Sequence, residues 1–117
     1  MKRSTLKSMT TVTIIKSKNG KYKKVICEGH AGYGKAGNDI VCCAISVLVI
    51  NTINSIDELT DTKLEVSSRE DEGIIECLFH ESPDEGSRLL LDSMILGLES
   101  VALQYGKKYL KLKFKEV

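Results

Sequence analysis

The sequence predicts an α+β fold, an α/β sandwich in which two helices pack on a mostly antiparallel sheet in the order ββαββαβ. Three observations point to it. A β-branched run, Thr11–Lys16, is followed by the hairpin dipeptide Asn19-Gly20; a second pair of alternating segments surrounds Glu70–Gly73; and two long stretches repeat their apolar residues at helical spacing. At 117 residues, with 42% apolar and 28% charged side chains, the chain suits one domain with a real core. We read residues 1–8 as a flexible N-terminal arm and 9–117 as that single domain.

Taken in order, Thr11–Lys16 is the first strand and Tyr22–Glu28 the returning one, with Val25 and Cys27 on one face and Ile26 and Glu28 on the other. The loop Gly29–Asn38 holds four glycines and reads as irregular, with Asn38 or Asp39 capping the next element. From Ile40 to about Leu59 the pattern is helical. Ile45, Val49, Ile53 and Ile56 share a stripe, and Val47, Leu48 and Ile50 make the first half apolar almost all round, as in a helix buried against the sheet and against a second subunit. Lys63–Arg69 and Ile74–Phe79 form a second hairpin. Ser82-Pro83-Asp84-Glu85 carries a capping box and a proline suited to the first helical position, and Gly106 ends the helix that follows. The last strand, Tyr109–Phe114, alternates with lysines.

The net charge of +1 hides a segregation. Residues 1–24 hold eight Lys/Arg and no acid, residues 107–117 hold five Lys and one Glu, and the stretch between carries a balance of −11. Such asymmetry suits either a charged partner or lysines that guard strand edges. The unbroken apolar runs 40–45 and 47–50 are shorter than a bilayer span, and no apolar segment follows the basic start, so we expect no membrane association and a cytoplasmic setting. Cys27, Cys42, Cys43 and Cys77 form no C-x-x-C pair, which argues against disulfides and against zinc; no metal and no cofactor is expected.

The chemistry concentrates between Gly29 and Ser46. A histidine, His30, ends a strand; a glycine-rich loop with Gly32, Gly34 and Gly37 follows; Cys42 and Cys43 then sit in the first turn expected of the helix. A thiol there is expected to feel the positive helix end and free backbone N–H groups, which favour thiolate and would hold an oxyanion. The loop lets His30 fold back as the base. Cys42, with Asn38 and Asp39 one turn before it, is expected on the polar side and Cys43 in the core, while Cys27 and Cys77 read as buried thiols. Gly32-Tyr33-Gly34-Lys35-Ala36-Gly37 also spells G-x-G-x-x-G, but the lysine-rich hairpin strand before it and the short chain are wrong for a dinucleotide fold. We read these glycines as a substrate flap.

Gly29-His30-Ala31, the glycine-rich loop, Asp39-Ile40-Val41-Cys42 and Ser46 together resemble the signature of the ribosomal-processing cysteine protease family, Prp, and the element order is similar along nearly the whole chain from Met9. The resemblance implies a His30–Cys42 catalytic dyad, Asp39 and Ser46 as supporting residues, and Gly29 setting the backbone beside His30. It further implies a homodimer that removes a short N-terminal extension from a ribosomal protein precursor, large-subunit protein twenty-seven, cutting after a phenylalanine. Nucleic acid is not required for that reaction. One departure is Cys43, where the family has a small residue. The competing expectation is a non-catalytic ribosome-assembly protein that docks through its basic ends.

Overall fold

Thr10–Lys16 (β1) and Tyr22–Glu28 (β2) pair antiparallel around a turn in which Gly20 takes φ +82, a conformation open to glycine. The computed structural model describes residues 9–29, 36–69, 71–106 and 109–117, of which 36–39 by backbone alone. The arm 1–8, His30, Gly32 and Gly34 therefore lie outside the described residues. After α1 (Ala36–Leu59) come β3 (Leu64–Arg69), β4 (Ile74–Phe79), α2 (Glu85–Tyr105) and β5 (Leu110–Glu116), so the order is ββαββαβ.

The five strands lie in the order β3-β4-β2-β1-β5. Three ladders are antiparallel, and β5 runs parallel to β1 from Thr10↔Leu110 to Lys16↔Glu116. Pleating sends alternate residues to opposite faces. On one face Val12, Cys27 and Ile75 form one row and Ile14, Val25 and Cys77 the next, all buried. Both helices cover that face. Val41, Ile45, Val49, Ile53 and Ile56 of α1 and Leu91, Met94 and Leu98 of α2 complete the core. A methyl at Gly97 would stand 3.0 Å from Leu48 Cδ2, which shows how closely the helices approach. The segment Ile40–Leu59 is long and apolar enough to cross a membrane by length and composition, unlike its separate apolar runs; here its inward stripe is used to cover the sheet.

Two helix starts differ from the sequence reading. The first helix begins at Ala36, a full turn before Ile40, so the expected irregular loop Gly29–Asn38 is helical from Ala36 on. The second begins at Glu85, with Asp84 rather than Ser82 as its cap: Asp84 Oδ1 accepts the Ser87 N–H at 2.8 Å. The Ser87 hydroxyl, wholly buried, meets Thr60 Oγ1 at 2.9 Å and Thr62 Oγ1 at 2.8 Å. This polar knot joins the end of α1 to the start of α2 and selects the later cap.

Candidate active site

The site is built at the end of the sheet where β2 stops. Gly29 leaves the strand at φ +86, and its N–H donates to Gly73 O at 2.9 Å while its carbonyl accepts the Thr10 hydroxyl at 3.2 Å. A Cβ at Gly29 would lie 2.7 Å from Met9 O, a backbone atom that has no rotamer by which to escape. Only glycine fits there. Three strands thus fix the direction in which the chain departs toward His30.

Cys42 comes to the same place from α1. It is 9% exposed, on the inward side of the helix beside Val41 and Ile45. Below it lies Cys27 of β2, whose thiol is pushed up to about 12, first by burial and then by the neighbouring Cys42 and by Glu28. The second turn of α1 is therefore a neighbour of Cys27, two positions before Gly29. Ser46, half-buried, lies one turn further along the helix face that carries Cys42. Gly37 and Asp39 are in the first turn of α1, where the backbone alone is described. Of the sequence-derived site residues, then, Gly29 and Cys42 are brought near the end of β2, with Ser46 one turn along α1 from Cys42.

Two expectations about the cysteines are corrected. Cys42 faces the core and Cys43 is exposed, the reverse of the polarity argument. Asn38 and Asp39 are polar, but the helix is oriented by the stripe Val41, Ile45, Val49, Ile53 and Ile56, and Cys42 is on its margin. Cys43 instead joins the outward residues Ile40, Val47 and Ile50. In addition, a helix beginning at Ala36 puts Cys42 in its second turn. At 1.5 Å per residue the Cys42 Cα is about 6 Å along the axis from that of Asn38, the nearest residue with a free first-turn N–H, so Cys42 is not itself among the first-turn residues as expected.

Cys27 and Cys77 are core thiols. Cys77 is wholly buried and, by that burial, pushed up to about 12. All four cysteines are free, and among the described residues no three His, Cys, Asp or Glu side chains converge as metal ligands. His80 is exposed and meets Glu65 Oε1 at 2.6 Å, a surface contact outside the site.

Residues 9–111 match the family described as cysteine protease Prp. The chain belongs to the cysteine protease Prp family. The membership makes it a cysteine peptidase and accounts for a thiol at the sheet end beside a clamped glycine. Over 107 residues the chain is 28% identical to the ribosomal processing cysteine protease Prp of Staphylococcus aureus strain Mu50, covering 92% of this chain and 100% of that protein. Two Prp crystal structures from Staphylococcus aureus share the fold across 92% of this chain and 100% of theirs. The first, in complex with a substrate peptide, superposes with a TM-score of 0.84 at 27% identity. The second, with a covalently linked product peptide, superposes with a TM-score of 0.81 at 28% identity.

Proposed function

We propose that this Prp-family chain is the cytoplasmic endopeptidase that removes the N-terminal extension of large-subunit ribosomal protein twenty-seven, cutting after a phenylalanine during ribosome maturation. Cys42 Sγ attacks the scissile carbonyl carbon as His30 takes the thiol proton; the carbonyl electrons move to oxygen. The tetrahedral intermediate collapses, His30 returns the proton to the leaving amine, and a thioester remains on Cys42. Water, deprotonated by His30, hydrolyses the thioester and regenerates the thiol. Asp39 and Ser46 support the dyad, and Gly32 and Gly34 belong to the flap over the peptide; Gly37, which the sequence assigned to that flap, is instead in α1.

The single observation that carries this reading is the convergence at the end of β2. Cys42 neighbours Cys27 near the end of that strand, and Gly29, which directly precedes His30 in the sequence, is locked there by Met9, Thr10 and Gly73. Of the four cysteines, Cys42 alone combines this location with some remaining exposure, 9% of the residue, since Cys27 and Cys77 are at 0% and Cys43 is on the outward side of α1. The Staphylococcus aureus complexes with substrate and covalent product peptides support a peptide substrate and a covalent step.

A homodimer is part of the same proposal. Ile40, Val47 and Ile50 on α1 and Leu89, Leu96 and Leu103 on α2 leave an apolar outer surface, the kind of patch that a subunit interface covers. Light scattering of the purified chain should return twice the chain mass, and Leu96→Glu should shift it toward the monomer. Incubating the protein with the extended ribosomal precursor and locating the new N-terminus by mass spectrometry tests the function itself. A new terminus directly after the phenylalanine of the extension supports it; an intact precursor contradicts it.

A further inference from the structure

Nothing in peptide hydrolysis uses the face of the sheet that the helices leave open, yet that face has an ordered charge pattern. The ladders place side chains there in three rows running from β5 to β3. They are Lys115, Ile15, Lys24, Leu78 and Glu65; then Lys113, Thr13, Ile26, Glu76 and Ser67; then Lys111, Thr11, Glu28, Ile74 and Arg69. Lysines are therefore stacked along β5, whereas β2 and β3 each carry charges of both signs, Lys24 with Glu28 and Glu65 with Arg69, and β4 carries Glu76. The parallel pairing of β1 with β5 brings together the two basic segments that the sequence keeps at opposite ends. Lys18 and Lys21 in the β1–β2 turn and Lys23 at the β2 bulge extend the basic edge beyond Lys115, all of them exposed.

Most of these lysines have no carboxylate to answer. Lys24 is bridged to Glu76 at 2.9 Å and Lys16 lies over the Tyr22 ring, whereas Lys111, Lys113 and Lys115 make no ion pair among the described residues. Edge protection accounts for lysines on β5 itself, but not for Lys18, Lys21 and Lys23, which lie off the edge strand. They recur every second residue, about 6.6–6.8 Å apart along the strand, which is comparable with the separation of successive phosphates in a nucleic-acid strand.

We propose that this lysine-lined edge, from Lys111 through Lys115 to Lys18, Lys21 and Lys23, is a docking surface for the phosphate backbone of structured RNA. Lysines act as point charges that need no bidentate geometry, as phosphate contacts allow. An acidic protein partner fits less well, because protein interfaces are depleted of lysine at their centres. The face carries no aromatic side chain in any of the three rows, so stacking on single-stranded bases is not its mode. The choice of RNA over another polyanion rests on the proposed ribosomal substrate. The surface would hold the enzyme near that substrate's surroundings while the chemistry proceeds at the sheet end under the helices.

The test uses the full chain and a fluorescently labelled RNA hairpin, with anisotropy measured between 50 and 300 mM KCl. Affinity should fall steeply with salt. Replacing Lys111, Lys113 and Lys115 together by Gln should weaken binding by about tenfold or more at the lowest salt and reduce the log–log salt slope by about one per lysine. Cleavage of a free precursor peptide should be unchanged in that variant, which separates failure of this inference from failure of the protease reading. A control with the same charge change elsewhere, Lys63, Arg69 and Arg88 to Gln, should bind RNA as the unaltered chain does. No salt-dependent binding, equal loss in the two triple variants, or displacement of RNA by polyglutamate at equal charge concentration would overturn the inference.

Discussion

Gly29 and Met9 are in backbone contact so close that a methyl group at Gly29 would stand 2.7 Å from the Met9 carbonyl oxygen. With φ +86 at the same residue, Gly29→Ala meets both a forbidden backbone region and an immovable atom. We expect Gly29→Ala to lower stability by about 2 kcal/mol or more and to cut kcat/KM further than the lost folded fraction explains, because the exit toward His30 is redirected. Urea unfolding together with peptide cleavage checks both. A variant as stable and as active as the parent would show that the clamp does not position the site.

The four thiols should divide into two classes. Cys27 and Cys77 are wholly buried, Cys43 is exposed, and Cys42 is at the border. Titration of the native protein with an aromatic disulfide reagent should therefore reach two thiols, and all four only in denaturant. In Cys43→Ser one accessible thiol should remain, identified as Cys42 by peptide mapping. Reaction of Cys27 or Cys77 under native conditions would contradict the packing.

Alkaline pH should loosen the fold in a defined window. The Cys27 and Cys77 thiols are each held near 12 in the fold against an ordinary value of 9.0. Below pH 9 both states keep the proton and nothing is lost. Between pH 9 and 12 only the unfolded state releases it, so stability falls as pH rises, by up to about 1.4 kcal/mol per unit for each thiol. The Tyr22 phenol, raised by burial and by its hydrogen bond to Asp92, adds to the loss above pH 10. Unfolding midpoints measured from pH 8 to 11 should decline accordingly, and Cys77→Val should flatten the decline. An identical slope in that variant would mean that Cys77 is not the titrating group.

The order of elements was legible because strand alternation and helical period are written in apolar positions such as Val12, Ile14, Ile45 and Val49. The parallel partnership of β1 and β5 was not, since periodicity says nothing of which edge a terminal strand joins. The start of α1 was missed because Gly37, close behind three other glycines, reads as loop, although the helix reaches back to Ala36. The facing of Cys42 and Cys43 was inverted for a related reason: the polarity of Asn38 and Asp39 describes a neighbourhood on the helix, whereas burial is decided by where the whole stripe meets the sheet. The cap at Asp84 depended on Thr60 and Thr62, far away in sequence. For the site, the spacing of Gly29 and Cys42 was readable, and their convergence at the end of β2 required the fold.

The most direct measurement is a single turnover of the precursor peptide, quenched in acid and mapped by mass spectrometry for the thioester that a cysteine nucleophile leaves behind. We expect the acyl group on Cys42, its disappearance together with all cleavage in Cys42→Ala, and near-parental accumulation in Cys43→Ala. An acyl group on Cys43, or cleavage that survives in Cys42→Ala, would contradict the assignment of the nucleophile.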